Sequence, residues 1–295
     1  MSDTTFDMAY SRAAPVWRER LRAFRNTHTL HSRLIDGQRW SYLSGGQGKR
    51  LALLLHGSEC DAESLFGAMS LLETHYRVLA PTYPERADTV EHVCAGLAAL
   101  LDAEAEDAPA LVVGYSLGGY LAQALAMRRP DLVARLALCN TGGPAVIALR
   151  MVHMQYTLFA ATPGPLLLGV LRAGAGLPLW REAPELSAPD RAFWRTYLSE
   201  MSTRLSKRAM LAHGRVIADF LRSRIEPPVA LATIPGHVLI LDSAWDHTIE
   251  PDERAALGFL YPAATRQTLP SAGHLSMLTQ PERFVAAIER ECSAW

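Results

Sequence analysis

Leu111-Val112-Val113-Gly114-Tyr115-Ser116-Leu117-Gly118-Gly119 is the stretch on which the reading of this chain turns. An unbroken apolar run leads into Gly-x-Ser-x-Gly, and a segment of helical spacing, 117–128, follows it. A backbone that passes from strand to helix this abruptly needs small residues two before and two after the pivot, and Gly114 and Gly118 supply them. The turn lifts the Ser116 hydroxyl to the C-terminal edge of a sheet, where open α/β folds hold their ligands. It also sets the N–H of Leu117 at a helix N-terminus, a position suited to stabilising an anion.

Working outward, short apolar runs alternate with helical stretches. The runs cover 51–55, 77–81, 110–115, 135–139, 237–242 and 265–269, preceded by two alternating segments at 31–35 and 40–43. Runs apolar on both faces mark parallel strands. Their alternation with helices predicts an α/β fold, with a mostly parallel central sheet and helices on both faces. The alternation lapses between about Gly143 and Pro228, where Met and aromatic residues recur at helical intervals. The expected organisation is an N-terminal helical extension over 1–30, a core over 31–143 and 229–295, and an inserted helical cap over 144–228. The extension reads as one polar helix with an apolar stripe of Phe6, Trp17, Leu21 and Phe24.

A serine hydroxyl is a weak nucleophile until a base takes its proton. Of the ten histidines, His274 follows the last predicted strand and precedes the final helix, which places it in a loop at the same sheet edge as Ser116. An orienting carboxylate is expected after the strand 238–242, where Asp246 lies further into the loop than Asp242; Asp246 is preferred, and Asp242 reads as a residue of the strand end. The loop after the preceding strand, Cys139-Asn140-Thr141-Gly142-Gly143, has no acid. Asp252 falls in the first turn of the next helix, where a carboxylate suits the dipole. The strand 51–55 ends in His56-Gly57-Ser58, and Gly57 allows the Ser58 N–H to face the serine as a second oxyanion donor. His56 reads as a packing residue and Cys60 as an unreactive thiol. Tyr115, Met154 and Phe159 are the candidate substrate-lining residues.

The pieces HGS at 56–58, GYSLGG at 114–119, the loop to Asp246 and AGH at 272–274, in the chain order Ser, Asp, His, resemble the α/β-hydrolase superfamily over residues 31–295. A finer resemblance is to maspardin-like hydrolases. It rests on YRVLA at 76–80, TYP at 82–84, GYSLGGYLAQ from 114, LCN at 138–140 and LYP at 260–262. Maspardin is described as a doubtful enzyme with a degenerate histidine motif, whereas this chain keeps His274. The resemblance implies a serine esterase or thioesterase, with carbon–carbon bond hydrolysis by the same serine as an alternative and a non-catalytic binding protein as another. A serine at the pivot disfavours epoxide hydrolysis and haloalkane dehalogenation, which place aspartate there.

The 29 basic and 30 acidic residues nearly cancel, so no electrostatic footprint for nucleic acid is present. Cys60, Cys94, Cys139 and Cys292 form no C-x-x-C pair, which argues against a zinc ribbon and for reduced thiols. No metal or cofactor is expected. Between Tyr156 and Trp180 the only charge is Arg172, yet Pro163, Pro165 and several glycines break the segment, so stable membrane insertion is not expected. The charged N-terminus has no apolar h-region, which points to a cytoplasmic protein. A cap rich in Leu, Met and aromatic residues predicts a small apolar or aromatic acyl ester or thioester as substrate, handled by a monomer or homodimer.

Overall fold

The computed structural model describes residues 3–104, 108–174, 177–183, 186–233 and 236–292. All eight expected strands form: β1 (Leu30–Ile35), β2 (Gln38–Gly45), β3 (Arg50–Leu55), β4 (Tyr76–Thr82), β5 (Ala110–Tyr115), β6 (Val133–Cys139), β7 (Val238–Ser243) and β8 (Thr265–Leu269). They build one sheet in the order β1-β2-β4-β3-β5-β6-β7-β8. The β1–β2 and β2–β4 pairs are antiparallel, and every other pair is parallel.

Two helices precede the sheet, α1 (Asp3–Ala9) and α2 (Pro15–Thr27). The rest follow in order: α3 (Phe66–Leu72), α4 (Val90–Glu104), α5 (Leu117–Arg128), α6 (Val146–Ala161), α7 (Gly164–Gly174), α8 (Leu177–Glu182), α9 (Ala188–Arg204), α10 (Lys207–Arg222), α11 (Val229–Thr233), α12 (Pro251–Leu260), α13 (Ser276–Thr279) and α14 (Pro281–Cys292). Period-two alternation sorts the strand side chains between two cores. Leu53, Leu55, Val112, Leu136 and Ile240 pack with residues of α4, α5 and α10 on one face. Leu54, Val113, Leu239 and Leu241 pack with α2, α3, α9 and α14 on the other. Both faces being buried explains why the runs read as continuously apolar.

The strand order reverses between β3 and β5, since β4 lies on one side of β3 and β5 on the other. Such a switch point opens a crevice at the C-terminal strand ends. The loops after β3, β5, β7 and β8 all leave from that edge.

Helices α6 to α10 stand between β6 and β7, and among the described residues of 144–228 there is no strand. Helix α6 lies tightly on α10: a Cβ on Gly214 would come within 2.3 Å of the Tyr156 ring. The expected single N-terminal helix is two. Pro15 has no N–H to donate and holds Ala14 in an extended conformation (φ −57°, ψ 132°), which ends the continuity. The extension is docked. Trp17 stacks on Phe193 at 5.8 Å and meets Trp194 edge-on at 5.0 Å, while Arg25 pairs with Glu63 and Glu200 at 2.7 and 2.6 Å. These contacts join the extension to both α9 and the loop before α3.

Candidate active site

Ser116 sits at the junction of β5 and α5 with φ 53° and ψ −120°, a strained conformation for a residue with a Cβ. The surroundings hold it there. Its N–H donates to the Cys139 carbonyl at 3.0 Å, and its carbonyl accepts from the Gly119 N–H at 2.8 Å and the Thr141 hydroxyl at 2.9 Å. The flanking glycines are sterically required. A Cβ on Gly114 would stand 2.4 Å from the Gly118 oxygen, and one on Gly118 would stand 2.1 Å from the Leu55 oxygen.

His274 arrives from the loop after β8. Its Nε2 lies 3.1 Å from Ser116 Oγ, and its Nδ1 lies 3.0 Å from Asp246 Oδ2. All three residues are buried. The other oxygen of Asp246 accepts the backbone N–H groups of Thr248 and Ile249 at 2.8 and 3.2 Å. Burial pushes the Asp246 carboxyl up, but His274 and those two amides outweigh it and hold the group below the usual carboxylate range. Asp242 stays at the end of β7, where burial raises its pKa, and Asp246 is the carboxylate bonded to the imidazole. Asp252 lies in the first turn of α12.

Side chains to which the sequence analysis assigns no role fasten the His274 loop. The Asn140 amide donates to the carbonyls of Gly273 and His274 at 3.2 and 3.0 Å and to Ser276 Oγ at 2.9 Å. Ser243 and Ser276 share a further hydrogen bond of 2.8 Å. Asn140 adopts φ 44° at the end of β6, and the sequence signal for it is an asparagine, a residue that tolerates left-handed backbone, directly after an apolar strand. Tyr115, expected to contact substrate, lines the cavity with its ring and donates its hydroxyl to the His274 carbonyl at 2.8 Å.

After β3, Gly57 touches the serine turn: a Cβ there would meet the Tyr115 ring at 3.0 Å and Ser116 Cβ at 3.3 Å. Ser58, the next residue, lines the same cavity as Ser116. His56 is fully buried, donates Nδ1–H to the Gly57 carbonyl at 2.7 Å and stacks on Tyr83 at 4.0 Å. Burial lowers its pKa to about 4. His213 of α10, lowered by burial and by His56 to about 3, accepts the Glu59 N–H on Nδ1 at 3.1 Å. Both imidazoles are therefore neutral at neutral pH, and they brace the 56–60 loop from inside. Burial and the neighbouring Asp61 and Glu59 push the Cys60 thiol up to about 12, which leaves it un-ionised.

A cavity of about 430 Å³ opens over Ser116 and His274. Ala148, Met151, Val152, Gln155 and Tyr156 of α6 form one wall and Ile217 of α10 part of another. Met154 does not line it. It is 64% exposed, two residues round the helix from Val152, which does line the cavity. Phe159 lies one turn beyond Tyr156, packs edge-on against that ring at 5.3 Å and stays outside the cavity lining. Three acidic residues that no motif marks, Glu59, Glu250 and Glu253, do line the cavity. Among the described residues no cluster of three or more His, Cys, Asp or Glu is placed to hold a metal ion, and no helix is long and apolar enough to cross a membrane.

With this geometry established, comparison with known proteins gives three kinds of likeness. The profile of the alpha/beta hydrolase family matches residues 52–287. Polyketide synthase ThaQ of Burkholderia thailandensis is 27% identical over 263 residues, covering 86% of this chain but 12% of the synthase, so the chain spans only a small part of that relative's length. The 2-hydroxymuconate semialdehyde hydrolase of Pseudomonas putida is 27% identical over 281 residues, covering 87% of this chain and 91% of that enzyme. Among solved structures, the enol-lactonase from Burkholderia xenovorans LB400 superposes with a TM-score of 0.71 at 19% identity, covering 88% of this chain and 98% of that one, a likeness of fold.

Proposed function

The chain belongs to the alpha/beta hydrolase family, and from that premise we propose that it is a serine hydrolase cleaving an ester or thioester of an apolar acyl group through Ser116, His274 and Asp246. The observation that carries the reading is the continuous hydrogen-bonded series Ser116 Oγ, His274 Nε2, His274 Nδ1, Asp246 Oδ2, with links of 3.1 and 3.0 Å. Nε2 takes the hydroxyl proton as Oγ forms a bond to the carbonyl carbon. The N–H groups of Leu117 and Ser58 stabilise the oxyanion. The imidazolium then gives its proton to the departing alkoxide or thiolate as the tetrahedral adduct collapses to an acyl-enzyme. In the second half, Nε2 takes a proton from water, the hydroxide adds to the acyl carbon, and the proton returns to Oγ as the acid leaves. Asp246, ionised and fixed by the Thr248 and Ile249 amides, holds the Nδ1–H tautomer and balances the transient positive charge.

A fluorophosphonate probe, followed by peptide mapping, tests the reading. Labelling at Ser116 that disappears in His274→Ala is expected, together with a fall in kcat of about 10³-fold or more in Ser116→Ala. A folded protein that takes no label is a binder on a hydrolase scaffold, and turnover retained in Ser116→Ala removes the serine from the chemistry. The relative aligned over most of both chains, named as a 2-hydroxymuconate semialdehyde hydrolase, favours one second reading, hydrolysis of a carbon–carbon bond by the same residues. Turnover of a vinylogous diketone exceeding that of every ester and thioester tried would select it.

A further inference from the structure

The catalytic cavity holds a carboxyl for which the reaction above has no use. Glu59 follows Ser58 directly and adopts φ 57°, a backbone that glycine would carry without strain and that is uncommon for a residue with a side chain. The loop keeps it there by lending the Glu59 N–H to His213, and the side chain lines the same cavity as Ser116 and His274. Tyr156, reaching across from α6, donates its hydroxyl to Glu59 Oε1 at 3.0 Å. The carboxyl is the acceptor of that bond. Its Oε2 remains to accept from a ligand. The surrounding walls are apolar at Ala148, Met151, Val152 and Ile217, and among the described residues no Lys or Arg lines the cavity to draw the carboxyl away. Burial raises the Glu59 pKa, while the Tyr156 hydroxyl and the charge of His274 work against that rise.

We propose that Glu59 is the specificity-determining residue of the site, accepting a hydrogen bond from a hydroxyl carried on the second or third carbon of an otherwise apolar acyl chain. The position follows from the chain itself: Glu59 is the neighbour of Ser58, whose amide faces the acyl carbonyl oxygen, so its carboxyl reaches only the first few carbons beyond the carbonyl. A hydroxyl fits better than an anion, which the three glutamates in the lining, Glu59, Glu250 and Glu253, would repel. It is also a neutral donor of the same kind as the Tyr156 hydroxyl. A site built to accept from a hydroxyl rejects the analogue lacking it, because the buried acceptor is then left unpaired. Glu59 acts on substrate selection and takes no proton from the serine.

The inference rests on the serine-hydrolase reading, and the experiment separates the two. Hexanoyl, 2-hydroxyhexanoyl and 3-hydroxyhexanoyl thioesters of N-acetylcysteamine are compared by kcat/KM in the full chain and in Glu59→Gln and Glu59→Ala. The expected result is a preference of at least about tenfold for one hydroxylated thioester over hexanoyl. That ratio falls toward one in Glu59→Ala and to an intermediate value in Glu59→Gln, with thermal melts confirming that both variants fold. A ratio near one in the wild type, or a ratio unchanged in both variants, overturns the assignment while leaving the hydrolase reading in place. Phosphonylation of Ser116 with no turnover of any of the three also overturns it. Absence of both labelling and turnover overturns the hydrolase reading and the assignment together.

Discussion

Replacing His56 by Gln should remove a defined part of the protein's acid sensitivity. The folded chain keeps His56 neutral by burying it completely against Tyr83, and its pKa drops from 6.5 to about 4. A group depressed in the folded state supports stability fully above its unfolded value and loses that support as the pH falls toward the folded one. For His56 the window opens near pH 6.5 and closes near pH 4. At about 1.4 kcal/mol per unit, the shift of about 2.5 units amounts to about 3 kcal/mol over the whole window. By pH 5 the unfolded imidazole is almost wholly protonated while the folded one is not, so about 2 kcal/mol has already gone.

The wild-type pH profile alone cannot report this number, because Glu59, Asp242 and Glu253 have raised pKa values through burial and contribute with the opposite sign in an overlapping window. His213, lowered to about 3, adds to the His56 effect. The change with pH in the difference between wild type and His56→Gln removes the carboxylate contributions and the pH-independent cost of losing the stack on Tyr83, and it retains the part of the His213 shift that His56 causes. Urea unfolding at pH 7.5, 6 and 5 should show the variant at its greatest disadvantage at pH 7.5, with the gap narrowing by about 2 kcal/mol at pH 5. A gap constant to within about 0.5 kcal/mol across that range would mean that His56 is not held neutral by its surroundings, and the account of the braced 56–60 loop would fail with it.

Three further outcomes follow from the same geometry. Asp246→Asn keeps the side-chain volume but presents an amide to Nδ1, favouring the wrong tautomer, so kcat should fall by about 10⁴-fold with Ser116 still in place; a loss under about tenfold would move the orienting role elsewhere. Met151→Ala should shift the acyl-length dependence of kcat/KM because that side chain lines the cavity, whereas Met154→Ser, on the exposed face of the same helix, should leave the profile as it is; the reverse pattern would contradict the placement of α6. Trp17→Ala, which empties a site among Phe66, Phe193 and Trp194, should lower unfolding stability by about 3–5 kcal/mol, and a loss below about 1 kcal/mol would show that the extension is not docked in solution.

What the sequence disclosed, and what it concealed, divides by the range of the interactions involved. The central strands β3 to β7 are legible because each carries its own apolar run, the edge strands only by alternation or by their place in the series, and the serine turn is legible because Gly114 and Gly118 are demanded by local backbone sterics. His274 and Asp246 were legible by position, as residues after the last two strands of a parallel sheet. The N-terminal segment was misjudged as one helix although Pro15 stands in plain view, because the apolar stripe Phe6, Trp17, Leu21, Phe24 continues across the break. All four of those residues are buried, yet they are buried by partners far away in the chain. Met154 and Phe159 failed for a related reason. Composition marks α6 as apolar, but only packing decides which of its faces turns inward, and Met151, Val152 and Tyr156 took the cavity. Asn140 and Glu59 do not show as site residues in the sequence because each gains its place from hydrogen bonds to distant parts of the chain and from a positive φ.

The two groups of residues also do different work. Ser116, His274 and Asp246 come from the loops after β5, β8 and β7, and Asn140 and Tyr115 tie the His274 loop to the ends of β5 and β6. On the proposed mechanism, the reacting groups all stand on the sheet edge and none comes from α6. The cavity wall, in contrast, is shared: Tyr156 belongs to the inserted helices, and Glu59 belongs to the loop after β3. A change of acyl group can then be met by altering α6 without disturbing the hydrogen-bonded series at the serine, which is how one fold comes to serve many substrates. The Tyr156–Glu59 bond is the point where the two parts meet. A shift of α6 that broke it would free the Glu59 carboxyl while leaving the Ser116–His274 distance unchanged, so selectivity would move before reactivity did.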